Sequence, residues 1–350
     1  MSLFHYIDIV HDADDQLIDL LEENVIGTPG ESMVYKHHNV HEKVASVPNP
    51  YFANLSIRNR LYGTICLSKR IVYNCGVAHD AFYLRYFTFR ENVRAQNPKD
   101  LKRPKISLVR DDVIKLMNGE GLDFHDNLLL YAYVDPGNAR SKRLIDEFGF
   151  KKVGDFQVIP FSRLWPAKSR MVEMADQSDF EEIRHLLHDT FNGEQMVSFE
   201  NLFQKGQYFY IKENGRLICG AQAIPDQWEI LEMPGTAGKL LLNIVPRIPI
   251  INRLFHPNYK FAFLEYIFCL PGHEAKLEML FKTILFHFKL NSAILCLDQK
   301  SKLYTQIKSI NMGFTHTLQG EKTIDVVIKS SQAHLINNHI PSCVSGYDVL

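Results

Sequence analysis

One long segment occurs twice in this chain, and that repeat limits the possible folds more than any other feature. Residues 128–154 read LLLYAYVDPGNARSKRLIDEFGFKKVG, and a worn copy, AILCLDQKSKLYTQIKSINMGFTHT, begins at Ala293. Each copy reads as a buried strand, a polar turn, a helix, a Gly-Phe break and another strand. The pairs Gly149-Phe150 and Gly313-Phe314 lie 164 positions apart, and repetition at a domain-sized spacing means one fold used twice. Three further segments recur in the same order. YIDIVHDADDQLIDLL from Tyr6 matches MVEMADQSDFEEIRHLL from Met171, each a short strand running into an acidic helix start. Tyr51-Phe52 and Tyr208-Phe209 each open an alternating run through a polar turn, Arg58-Asn59-Arg60 or Glu213-Asn214-Gly215, to Gly63 or Gly220. FYLRYFTF from Phe82 then matches FAFLEYIFCL from Phe261.

A length of 350 residues suits two domains, each large enough to bury a core. The reading gives an N-terminal domain over 1–165, a C-terminal domain over 166–331 and an extension over 332–350, with the boundary at Leu164–Lys168. The polar tail beyond Ser331 is expected to be loosely held. A formal charge of −1 leaves no global field for nucleic acid. The basic stretch Lys99–Lys105 and the group Arg140, Lys142 and Arg143 read as solvated faces. Six scattered cysteines without a C-x-x-C pair, and no secretory leader before Tyr6, point to a reducing, cytoplasmic setting. The most apolar stretch, Leu240–Ile251, is too short and too broken by proline to span a bilayer. It reads as an insert that packs on a neighbour or shapes a ligand entrance.

The element order of each half is strand, helix, hairpin, long strand, helix, strand, helix, strand. With the N-x-x-S…G-F ending, it resembles the GNAT acetyltransferase superfamily. Asn138, Ser141, Leu144, Gly149 and Phe150 match that family's segment well, whereas the second half keeps only Asp298, Ser301, Gly313 and Phe314. The resemblance implies an α/β (α+β) chain of two tandem GNAT-like domains, each a mixed, mostly antiparallel sheet flanked by helices. Tandem members of the superfamily include N-myristoyltransferases and peptidoglycan aminoacyl transferases.

The resemblance also implies an activity: transfer of an acyl group, acetyl-CoA being the expected co-substrate, to an amine acceptor within a ternary complex. In the family the fourth and fifth strands splay apart to hold the pantetheine arm. A glycine-bearing loop then aims N–H groups at the pyrophosphate from a helix N-terminus. Here the first-half loop, Arg90–Gln96, has no glycine, and Arg90 and Arg94 are left to supply phosphate charge. The second-half loop keeps one glycine, so the cofactor set expected from the resemblance is Phe268, Cys269, Leu270, Gly272, His273, Glu274 and Ala275, with Asn138 and Ser141 from the first half. The family's tyrosine, which protonates the departing thiolate, is replaced by Ile145 and by Thr305. Tyr304, one residue earlier, is the remaining candidate, although that slip rotates it by about 100° on a helix. Glu265 is an acidic residue in an apolar strand, where an unpaired carboxylate is costly, and is the expected general base. Glu232 is its reserve, and the first-half counterpart Arg85 cannot act as a base.

The alternative is a GNAT-like ligand-sensing or interaction module without catalysis, favoured by the missing tyrosine and glycines. Other chemistries lack their patterns. His11, His37, His38 and His41 have no ligand spacing for a metal. There is no G-x-S-x-G nucleophile turn and no G-x-x-x-x-G-K phosphate loop. Among partners, the resemblance implies an acyl-CoA and an amine, and the charge and hydropathy point to neither nucleic acid nor a membrane span.

Overall fold

The computed structural model describes residues 3–90, 106–125, 127–330, 337 and 339–349. The first half runs β1 (Ile7–Val10), α1 (Asp15–Glu22), β2 (Val34–His37), α2 (Val40–Ala45), β3 (Pro50–Ile57), β4 (Arg60–Asn74), β5 (Val77–Phe89), α3 (Ile106–Met117), β6 (Leu129–Val134), α4 (Ala139–Glu147) and β7 (Lys151–Ser162). The second runs β8 (Val172–Met174), α5 (Phe180–Phe191), β9 (Gln207–Glu213), β10 (Arg216–Glu232), α6 (Gly235–Asn243), β11 (Asn258–Cys269), α7 (Glu274–Phe288), β12 (Ser292–Leu297), α8 (Lys302–Ile307), α9 (Phe314–Gln319) and β13 (Lys322–Ser330).

Local chemistry explains the repeated elements. Asp14 caps α1 by accepting from the Leu17 N–H at 2.9 Å, and the helix buries Leu17, Leu20 and Leu21 at helical spacing. The β9–β10 hairpin turns on Asn214 and Gly215 with φ of 50° and 76°, the left-handed pair that matches strand twist. In the β3–β4 hairpin, Arg58 and Asn59 adopt the same hand without glycine, at φ of 52° and 61°.

All the strands but one lie in a single path ordered β1-β3-β4-β5-β6-β13-β7-β12-β11-β10-β9-β8, with β2 paired to β10. This order reads alike from both ends. Each half contributes five strands, and its sheet is completed by the last strand of the other half. β13 pairs with β6, β7 pairs with β12, and β7 and β13 pair with each other at the centre. There Asp155 faces Asp325 across the ladder, and Lys152 Nζ bridges them at 2.9 and 2.6 Å. β2 also crosses over, a first-half strand added to β10 of the second half. The sheet is mostly antiparallel; the described parallel pairings are β5–β6 and β11–β12.

Two expectations are corrected. After Gly313-Phe314 the chain forms the short helix α9 before its strand, instead of entering the strand directly. Gly313 has a φ of 92° and lies so close to the Ser162 carbonyl that a Cβ would collide with it, and the Thr315 N–H bonds Ser162 Oγ at 3.1 Å. The segment therefore turns against β7 before it can pair. Nor are the described residues 341–349 of the tail loosely held. Ser342, Tyr347 and Asp348 are buried between the halves, because the cleft they enter offers partners for their backbone and side-chain polar groups.

Candidate functional site

The site is built where strands part. β5 and β6 are in register only at Phe82–Leu130 and Tyr83–Tyr131, and diverge beyond. On its other side β5 carries a bulge: Thr88 faces Thr64 and Arg85 faces Cys66, so Tyr86 and Phe87 fall between. Among the described residues neither has a strand partner in either register, and Tyr86 has a φ of 54°. A bulge bends its strand and leaves backbone groups open. The second half repeats the device, with Tyr266 at a φ of 46° and a bulge between Glu265 and Phe268 of β11.

In the first half the parted strands enclose a cavity of about 280 Å³ that passes through the sheet. Its two ends differ in chemistry. Towards α3 and α4 the wall is apolar: Leu84, Met117, Ala132, Val134, Ile145, Phe148 and Phe150 all belong to the packing around those helices. Towards α1 and α2 it is mixed: Leu21, Ile26 and Val40 stand beside the polar groups of His37, Lys43, Tyr83, Arg85 and Tyr133. α4 opens beside this slot. Asn138 caps it, accepting from the Ser141 N–H at 3.0 Å, and Ser141 itself lines the slot. Ser141 thus lies on the slot's wall, and Asn138 is the cap of the helix that carries it.

His37 is the residue that the sequence did not single out for this site. It ends β2, with its ring edge-on to Tyr35 and Trp228. Lys43 Nζ pairs with Asp226 at 2.7 Å and lies 3.4 Å from His37 Nδ1. An ammonium can only donate, so Nδ1 accepts and the proton of the neutral ring sits on Nε2. Burial, and after it the Lys43 and Arg85 cations, hold the imidazole well below its usual range. Nε2 is buried and has no partner among the described residues. Arg85 stacks on Tyr86 at 4.3 Å and donates to its hydroxyl at 2.9 Å.

In the second half the corresponding cleft holds the chain's own tail. β11 and β12 part after Leu264–Leu295, and Ser342, Cys343 and Val344 line the space between. The Cys343 N–H bonds the Gln195 carbonyl at 2.9 Å, and the Ser342 N–H bonds Asp298 Oδ2 at 3.0 Å. Asp298, which stands where the first half has Asn138, is thereby turned to the tail. Glu265 is buried and accepts at Oε1 from Ser345 Oγ and from the Tyr347 N–H, both at 2.6 Å. Burial pushes its carboxyl up to about 7 against the pull of those hydrogen bonds. Its Oε2 has no partner among the described residues, and Glu265 lines a small space with Tyr133 and Asp348.

The remaining predicted residues lie apart. Tyr304 packs with α7 and donates to Glu321 at 2.6 Å, on the other face of the sheet from the Glu265 carboxylate. Phe268 packs among Tyr208, Tyr210 and Leu217. Cys269 and Leu270 close the strand, with the Leu270 N–H on the Ile218 carbonyl at 2.8 Å. At the head of α7 two N–H groups find partners within the turn. The Gly272 N–H donates to Glu274 Oε1 at 3.0 Å and the His273 N–H to the Leu270 carbonyl at 3.1 Å. Hydrogen bonds from its own N–H and from Gly272 hold the Glu274 carboxyl below the usual range. Ala275 is exposed on the same turn. Glu232 accepts from the Gly30 N–H at 2.9 Å. Arg94 and Lys99–Lys105 lie outside the described residues, while Arg90 is turned to Glu23 at 3.4 Å and to the Leu61 carbonyl at 3.0 Å. Among the described residues no cluster of His, Cys, Asp and Glu could hold a metal ion, and all six cysteines are free thiols.

No family model and no curated protein matches the sequence. Solved structures do. Saccharomyces cerevisiae N-myristoyltransferase with bound myristoyl-CoA aligns over 94% of this chain and 83% of its own, at 10% identity and a TM-score of 0.55. A second structure of that enzyme with myristoyl-CoA covers 94% and 80%, at 9% identity and a TM-score of 0.57. A GCN5-related N-acetyltransferase from Anabaena variabilis aligns over 92% and 72%, at 9% identity and a TM-score of 0.49. The chain shares the fold of N-myristoyltransferase.

Proposed function

We propose that this chain is an acyl-CoA-dependent N-acyltransferase whose first half holds the acyl-CoA and whose second half holds the tail and frames the amine acceptor. The through-sheet slot carries this reading. It is apolar beside α3 and α4, where a pantetheine and acyl chain would lie, and it gains polar groups beside α1 and α2, where a thioester would meet an amine. The solved neighbours of the same fold bind myristoyl-CoA. Acetyl is the smallest acyl group that the slot would take, and an apolar wall around about 280 Å³ favours a longer one.

The residues of the slot suit direct transfer. The amine nitrogen attacks the thioester carbon, a C–N bond forms, and the carbonyl oxygen gains charge. The backbone at the Tyr86–Phe87 bulge and the His37 Nε2–H are the donors placed to meet that oxygen. The carbonyl then re-forms, the C–S bond breaks, and CoA leaves as a thiolate that takes up a proton. Outside the slot, Glu265 lines a small space that shares Tyr133 with it, and is the proposed acceptor of the amine's proton, since a carboxyl pushed up to about 7 matches neutral pH. A binding module without catalysis would need none of this polarity at one end of the slot.

Calorimetry with CoA thioesters of increasing chain length tests the reading. Micromolar binding that strengthens with chain length, and is abolished by Ala132→Trp in the apolar wall, supports it. Absence of binding to every acyl-CoA by a folded protein refutes it.

A further inference from the structure

The insert between β10 and β11 is apolar on both sides. α6 and the two 3₁₀ turns that follow it, Val245–Arg247 and Ile251–Arg253, press Leu241, Leu242 and Val245 onto Ile230 and Phe255. The opposite side presents Leu240, Ile244, Ile248 and Ile250, each between 38% and 56% exposed. A surface helix is normally polar on its outer face, and clustered large aliphatic side chains in water mark a contact surface. The charge of this region is one-sided. Residues 235–254 contain Lys239, Arg247 and Arg253 and no acidic residue. Arg253 also lines a groove of about 770 Å³ with Lys168, Lys289 and Trp165, again without a carboxylate, and Trp165 is 66% exposed. Among the described residues none of these five cations takes part in an ion pair.

We propose that this face docks on an anionic lipid bilayer. Aliphatic side chains bordered by cations and an exposed tryptophan fit the boundary between acyl chains and negatively charged headgroups. A protein partner of matching chemistry would more often meet aromatic and methionine side chains than bare leucine and isoleucine. No described helix is long and apolar enough to cross a membrane, so the contact is with the surface. The proposal does not depend on acyl transfer, because none of the residues it rests on lines the slot.

Flotation of the full-length protein with vesicles tests it, comparing phosphatidylcholine alone with phosphatidylcholine mixed with phosphatidylserine. The protein should float with the anionic vesicles, weakly or not at all with the neutral ones, and less as salt rises. Replacing Arg247 by Ala should weaken binding about fivefold. The double variant Ile244→Ser, Ile250→Ser should weaken it at least about tenfold, with an unchanged unfolding midpoint because both side chains are exposed. Failure to float with either vesicle overturns the proposal. So does a dimer in light scattering that the double variant dissolves, which would assign the face to a second copy of the chain.

Discussion

Arg70 on β4 and Asp348 in the tail form a two-pronged ion pair across 278 residues of sequence, with both side chains 2% exposed. The second prong, Nη2 to Oδ1, measures 2.8 Å. The Asp348 carbonyl also accepts from the Tyr83 hydroxyl, and the Arg70 guanidinium lies over the Tyr83 ring at 5.1 Å. The pair ties the chain's end to the strand beside the slot.

Removing one partner leaves a buried charge without its counter-ion. Asp348→Ala or Arg70→Ala should therefore destabilise the protein by about 3–5 kcal/mol. Replacing both by apolar residues of similar volume should recover most of the loss. Urea denaturation of the two single variants and the double variant measures this. Additive losses in the double variant would show that the two residues act separately.

His37→Ala should lower kcat about 100- to 1,000-fold if its Nε2–H meets the developing oxyanion. Affinity for acyl-CoA should stay within about twofold, which isothermal titration reads independently of turnover. A parallel loss of binding would make the residue part of the slot's architecture instead.

Glu265 yields a pH prediction with two readouts. Its folded carboxyl is raised from 4.5 to about 7, so the native state keeps a proton that the unfolded chain gives up. Stability from this group is present below pH 4.5 and is lost as pH rises from there to about 7, by about 3 kcal/mol in total. Glu265→Gln should flatten that window in denaturation experiments, which reports burial alone. If Glu265 also accepts the amine proton, the wild-type kcat/KM should rise with pH through about 7, and the variant should lose that limb.

Gly272→Ala discriminates between the two halves as cofactor sites. Gly272 has a φ of 85° with open space around it, so the methyl group costs only left-handed strain, about 1–2 kcal/mol. Acyl-CoA affinity should be unchanged, because the Gly272 N–H is already held by Glu274. A fall in affinity would return the phosphate contact to the second half.

The duplication was legible from sequence as a repeated pattern, and the hairpin at Asn214-Gly215 because it depends on residues a few positions apart. What was not legible depends on partners far away. Strands β7 and β13 are alike in pattern, and nothing local says which sheet each will complete. His37 carried no signal in the run KHHNVH, because its chemistry comes from Lys43 held by Asp226 of the other half. The tail read as polar and hence loose. Its polar groups are instead those that the second cleft satisfies, at Asp298, Gln195 and Glu265. The glycine of the second-half loop pointed to an anion site, but the carboxylate two residues on, Glu274, takes the place of the anion.

The reciprocal placement of β7 and β13 has a consequence for how such a chain can change over generations. A half cut free would lack its own closing strand and present two raw edges, an invitation to aggregate. Neither copy can be discarded once the exchange is made. Selection is then free to let one cleft lose its ligand and fill with chain, while the half that contains it is retained as scaffolding for the other.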